Sequence, residues 1–340
     1  MQSRQQRGTY KPSSQSGARL AKFSVSDRGT NFEHIASVSR SSGLEKDGDT
    51  LKNFDVQEEY RVFVQGKVDD YWAKFPRNSD LSESEDRRRA EVQGNLLILF
   101  RKLREGISSS KRRDAFAVEV YETSLYLSII FQAPAQTTSI LSHLLPDLYE
   151  SASTPSSSSA TVLLASLHSL VIHYPSQRPY FEWLGTLPRP YTLTGEPQTW
   201  IQDVSRCLRR CEYLRLGVLT QRATLSHLIE FPPPRSGSPG SELREEAFHT
   251  LIGSLRTHAR TTAWRIVRNA YREFGLRSPS TKTWIARTLL LDGSHPSENE
   301  AQDVEKARDP VDLWFTAREK LGEIGRKEGS EASWLVKLKT

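Results

Sequence analysis

Cys207 and Cys211 stand four residues apart in a segment of helical pattern. That spacing puts two thiols on one helix face and offers half of a four-ligand metal site. No second half accompanies them: they are the 2 cysteines of the chain, and its 8 histidines are scattered singly. His168 and His173 are five apart, which sends them to different helix faces. The cysteines therefore read as small buried side chains in a reducing compartment, not as a disulfide framework. Glu119 and Glu122 are near neighbours on a helix, but solvated or capping roles suit them better than acid–base catalysis. The glycines of 235–241 lie between prolines and not after a strand, so they form no phosphate loop. No nucleophile elbow or zincin motif occurs. The expectation is a protein that is not an enzyme and uses neither metal nor cofactor.

A second kind of chemistry is concentrated late in the chain. Residues 201–291 hold 15 Lys/Arg against 7 Asp/Glu, a local excess larger than the +6 of the whole chain. Arg256, Arg260, Arg265, Arg268 and Arg272 fall beside or opposite an apolar face made by Leu255, Ala259, Ala263, Ile266, Val267, Ala270 and Phe274. Trp264 sits among them. Guanidinium groups pair bidentately with phosphate, and an indole stacks on an unpaired base. Lys282 and Arg287 follow closely, and Lys337 and Lys339 lie on a terminal strand pattern. These ten residues form the candidate nucleic-acid surface. The competing readings are a solvated helix face and, for Trp264, a half-buried ring.

The elements that must position these groups are mostly helices. Residues 1–55 are rich in Ser, Gln, Arg and Gly without a period, and read as a disordered tail in which Phe23, Phe32 and Ile35 are conceivable docking points. Order is expected from Val56. Tyr60, Phe63, Val64, Val68, Tyr71, Trp72 and Phe75 recur at helical steps up to Pro76. Ser82 with Glu85 three residues on is a capping box for a helix expected to end at Gly106. Further helices are expected over 111–131, 140–148, 162–174, 180–187, 200–210, 213–231 and 242–274. The Ser-rich stretch after Ser151 and the Pro-rich stretch after Pro232 break the pattern. A short helix, 284–291, and another through Leu313, Trp314, Phe315 and Leu321 precede the one clear strand, 333–339. The expected fold class is all-α: an antiparallel helical-repeat solenoid over 56–275, then a small winged-helix module with a short β-wing over 276–340. The wing would carry Lys337 and Lys339.

The polar, basic start has no apolar core of the secretory kind, and no apolar run approaches the ~20 residues of a membrane span. With 36% apolar and 26% charged residues, the chain is expected to be soluble and intracellular.

Three stretches resemble the GANP-type (Sac-three homology) family. One is Phe116-Ala-Val-Glu-Val-Tyr-Glu-Thr with the basic approach from Leu103-Arg to Lys111-Arg-Arg. The second is Leu144-Leu-Pro-Asp-Leu-Tyr. The third is the Arg-rich helix up to Phe274 followed by Trp284-Ile-Ala-Arg-Thr-Leu-Leu-Leu-Asp. The similarity covers about Glu59 to Asp292 and is nearest to the shorter branch, without nuclear-pore repeats. Ala133-Pro-Ala-Gln-Thr-Thr, the Ser tract and the Pro-rich insertion depart from it.

The resemblance implies a PCI-type scaffold acting in messenger-RNA transcription elongation, splicing and export. It implies a nuclear location, with the cytoplasm also open. It further implies a second PCI-domain protein that holds a small acidic subunit as partner, RNA or DNA as ligand, no membrane contact and no homo-oligomer. The alternative is a PCI subunit of a proteasome-lid, signalosome or translation-initiation type of assembly, without nucleic-acid binding.

Overall fold

Asn53 starts the first long helix by accepting a hydrogen bond from the Asp55 N–H at 2.8 Å, satisfying one of the orphan donors of a helix start. This helix, α1, runs Phe54–Lys74 and buries Tyr60, Val64, Val68 and Tyr71. The computed structural model describes residues 50–76, 82–152, 158–222, 239–291, 309–329 and 332–337, together with 32, 33, 35, 37, 225 and 228. Most of the expected N-terminal tail, with Phe23, and the Pro-rich segment lie outside the described residues.

Ser82 and Glu85 form the expected capping box at the start of α2, Glu83–Ser109. That helix does not stop at Gly106. It continues for three residues, because Gly106 serves a close approach: a Cβ there would lie 2.6 Å from the Leu51 carbonyl oxygen. Asp114 caps α3, Ala115–Ile130, through the Ala117 N–H. Next comes α4, Pro134–His143, with proline in its first turn, then a π-helical turn, Leu144–Leu148, and a short helical turn, Tyr149–Ala152.

The chain resumes with α5, Ser158–His173, and α6, Arg178–Thr186. Helix α7, Glu196–Arg210, ends on Cys211 in the left-handed conformation. Helix α8, Tyr213–Leu219, breaks at Thr220 and Gln221, and residues 222, 225 and 228 are helical again, so the expected helix over 213–231 is interrupted. Its last carbonyls are claimed from outside: the Trp200 indole donates to Leu219 O at 2.9 Å and Arg256 to Gly217 O at 3.4 Å. The long helix α9 spans Pro239–Ala270.

Successive helices pack pairwise, α1 on α2, α2 on α3 and α3 on α4, and α9 then returns across both α3 and α5. The packing is therefore not purely nearest-neighbour, as an ideal repeat array would be. A single core cluster runs through it and takes in Phe32, Ile35 and Leu51.

After α9 come β1, Glu273–Gly275, α10, Pro279–Thr288, α11, Pro310–Lys320, β2, Ile324–Arg326, and β3, Ser333–Val336. The strands make one antiparallel sheet in the order β1-β3-β2, with Phe274 and Arg326 both opposite Trp334. Phe274 thus belongs to a strand and not to the long helix. The architecture is mostly helical with this one small sheet.

Candidate nucleic-acid interface

The Arg-rich end of α9 enters the terminal module as its central helix. Trp264, expected to be either a stacking platform or a half-buried ring, is 3% exposed. Its ring packs against Phe274, Trp314 and Phe315 at centroid distances of 6.0, 6.3 and 5.8 Å, and its indole N–H donates to the Glu323 carboxylate at 2.7 Å. Phe315 in turn meets Trp334 at 5.7 Å. Trp264 is core, unavailable to a base, and the physical reason is the sheet that folds back over it.

Glu323 gathers the charges around that core. Arg268 reaches it at 2.9 Å and Arg318 at 3.5 Å. The Arg318 guanidinium also lies 3.9 Å from the Trp314 ring centroid. This cluster neutralises Arg268 internally, although the helix pattern leaves it beside the apolar face.

Arg256 and Arg260 do not lie on a free arc either. Arg256 is buried and donates to Thr220 Oγ1 at 2.8 Å and to Leu290 O at 3.1 Å. Arg260 donates to Leu289 O at 2.8 Å and Leu290 O at 2.7 Å. Both guanidiniums thus satisfy carbonyls at the end of α10, where no intrahelical donor remains. Leu290 holds a φ of 54°, a left-handed conformation that costs a branched residue; the two arginines fasten that turn. Substituting these two would therefore disturb the core, contrary to the expectation from the helix pattern.

Lys282 bridges Asp309 and Asp312 at 3.0 and 2.7 Å, pinning α10 to the start of α11. Burial works against its charge, but the hydrogen bonds to Asp312 and Asp309 prevail and raise its pKa above the ordinary lysine value.

Arg265, Arg272 and Arg287 are exposed and make no ion pair with a described residue. Lys337 is exposed as well. The Val336 N–H donates to Arg272 O at 3.0 Å, whereas the Lys337 N–H donates to Glu323 O at 2.9 Å and its side chain lies over Gly325 of β2. Tyr271 meets Trp284 edge-on at 5.4 Å, so the end of α9 lies beside α10, one turn from Arg287. Arg277, two residues past β1, is exposed too and was missed; its place in a basic loop before Pro279 was the available signal. Strand β3 ends at Val336, so Lys337 lies past the strand end and not between β2 and β3, where the expected wing would be. Lys339 lies outside the described residues.

Elsewhere the catalytic candidates resolve into structural contacts. Glu119 pairs with Arg61 at 2.6 Å and Glu122 accepts from the Tyr149 hydroxyl at 2.6 Å. His168 is buried, bonded to Thr138 at 2.9 Å, and burial, helped by the charge of His173, depresses its pKa to about 4. Cys207 is buried, whereas Cys211 is exposed because the left-handed cap turns it outward. Among the described residues no three His, Cys, Asp or Glu side chains gather as a metal site. Among the same residues no helix is long and apolar enough to cross a membrane.

No family model, curated protein or solved structure matches the chain. The functional reading rests on the geometry above. What survives from the ten candidate residues is an exposed cationic edge of Arg265, Arg272 and Arg287, with Lys337 exposed separately on the β2 side of the sheet. Arg277 stands exposed beside it, while Arg268, Lys282, Arg318, Arg326 and Lys327 of the same module pair with described carboxylates.

Proposed function

We propose that the chain is a non-enzymatic nuclear scaffold of the GANP-type PCI family, acting in messenger-RNA biogenesis. In this reading the helices 54–270 form the PCI-type repeat body and the terminal module is a winged helix. The observation that carries it is the module's order of elements. Helix, strand, two helices and two strands, with the sheet ordered β1-β3-β2, are the parts of a winged helix in sequence. The cationic edge supports RNA or DNA as ligand, since unpaired arginines on a rigid element suit phosphate.

The face of α11 supports a different ligand. Its Asp312, Arg318 and Glu319 are engaged in pairs, while Leu313 and Leu321 are 50% and 66% exposed. Exposed apolar side chains beside satisfied charges suit a protein surface. We assign this face to the second PCI protein.

The test is to reverse Arg265, Arg272 and Arg287 together to Glu and titrate single-stranded RNA at two salt concentrations. Three lost phosphate contacts should lower the slope of log affinity against log salt by about 2. Unchanged affinity and slope would favour the second reading, an assembly subunit without nucleic-acid binding. That reading has its own support: Arg256, Arg260, Arg268 and Lys282 spend their charges inside the molecule.

A further inference from the structure

Arg104 stands on α2 with its side chain buried, 7% of the residue being exposed. Its Nε is enclosed and has no hydrogen-bond partner. No described residue forms a hydrogen bond or ion pair with its guanidinium. The Tyr121 ring centroid is 5.8 Å from the guanidinium carbon. Glu105 attracts the Arg104 charge while pairing with Arg101 at 3.6 Å, and Arg101 adds a like charge. Among the described residues the other two buried arginines are satisfied: Arg112 lies between Phe54 and Phe116 and pairs with Glu58 and Asp114, and Arg256 is bonded to carbonyls. A largely buried guanidinium without a hydrogen bond, facing only the Tyr121 ring and a shared carboxylate, is costly enough that folds ordinarily compensate it.

Arg104 lines an open pocket of about 480 Å³ between the second half of α2 and α4. Arg101, Glu105, Ser108, Gln136, Ser139 and His143 share its wall. The Oε1 of Gln136 is likewise buried without a partner. Through Ser108, Tyr121 and His143 the pocket continues into a smaller recess that adds Lys111 and Arg113. The walls thus offer guanidinium, ammonium, imidazole and hydroxyl donors around Arg104, with the Gln136 acceptor and two carboxylates, Glu105 in the pocket and Asp147 in the recess, against them.

We propose that this pocket binds a small phosphorylated molecule, with the phosphate seated on Arg104. A doubly charged oxyanion matches several convergent donors better than a carboxylate does. The volume leaves room for the body of a phosphomonoester, from which a hydroxyl can donate to Gln136. None of the lining residues belongs to the cationic edge of the terminal module, so this site does not depend on the nucleic-acid reading.

The full-length chain should be followed by thermal unfolding and calorimetry with inorganic pyrophosphate, against sodium chloride at equal ionic strength. The wild type should show a saturable rise in Tm beyond the salt control. Arg104→Met keeps the stem and removes the charge; its unliganded Tm should equal or exceed the wild type, and the pyrophosphate shift should vanish. Arg101→Gln, at an exposed position, should keep the wild-type Tm and weaken pyrophosphate binding by about tenfold. Absence of a shift in the wild type, or a shift that persists in Arg104→Met, would overturn the proposal. Should Arg104→Met fail to fold, unchanged pyrophosphate affinity in Arg101→Gln overturns it instead. Single-stranded RNA that raises the Tm through Arg101 and Arg104 where pyrophosphate does not would overturn the small-molecule assignment.

Discussion

Gly106 shows how one residue can carry information that a sequence pattern misassigns. A glycine near the end of an apolar helical run signals a C-cap, yet this one lies inside α2 with the Leu51 backbone against its Cα. Alanine would gain up to about 1 kcal/mol of helix propensity. It would also force its methyl against a carbonyl that Gln57 already holds at 2.8 Å, and such overpacking costs roughly 1–3 kcal/mol. The clash wins because backbone cannot yield as a side-chain end can. Gly106→Ala should therefore lower the midpoint of chemical unfolding. Trp264 makes the complementary case. Trp264→Phe keeps the packing with Phe274 and Phe315 but removes one donor from the Glu323 carboxylate, which Arg268 and Arg318 still hold, for roughly 1–3 kcal/mol. RNA affinity, measured well below the variant's Tm, should be unchanged, since the ring does not reach solvent. A selective loss of affinity at normal stability would return Trp264 to the binding surface.

At the scale of elements, buried polar contacts between helices decide how stability responds to pH. His168 on α5 meets Thr138 on α4, and burial with the His173 charge holds its folded pKa at about 4. An unfolded histidine titrates near 6.5. The folded state thus binds fewer protons between those values, so stability is intact above pH ~6.5 and is lost as pH falls toward ~4. The full shift corresponds to roughly 3 kcal/mol. His168→Gln should flatten the dependence of Tm on pH over that window; an equally steep dependence would assign the effect to other groups. The resemblance-bearing segment on α3 is of the same kind. Tyr121 donates to Arg104 O, Thr123 to Glu119, and Glu119 pairs with Arg61, so its side chains serve helix contacts.

Over the whole molecule, α9 ties the terminal module to the body. Its first half packs on α3 and α5, and its last turns hold Trp264 and Arg268 inside the module. The N-terminal segment is likewise joined to the body. The expected start of order at Val56 would discard Leu51, which is fully buried, along with Phe32 and Ile35, which are also in the core. Phe32 packs on Tyr60 at 5.6 Å. A chain starting at Val56 should lose roughly 2–3 kcal/mol relative to one starting at Thr50 through Leu51 alone. Comparing the two by urea denaturation checks this, and equal midpoints would restore the disordered-tail boundary. The salt dependence of RNA binding also belongs to this scale, because it counts phosphates met by the entire cationic edge.

The sequence by itself determined that the chain is mainly helical, where most helices lie, and which caps start them. These properties are local: periodicity, Ser82 with Glu85, and proline at first turns act within a few residues. It also marked the basic segment that holds the cationic edge. It could not determine the two three-residue strands, which are too short for a period and exist because β3 pairs with both. Nor could it separate Arg265 and Arg272 from Arg256, Arg260 and Arg268. Identical side chains on one helix differ only in what the rest of the chain brings to them: the Leu289 and Leu290 carbonyls, the Glu323 carboxylate, or solvent. Arg104 is the extreme instance. Its position on α2 is legible from the pattern, but its burial without a hydrogen bond arises only when α3 and α4 close over it, because desolvation is a property of the assembled fold.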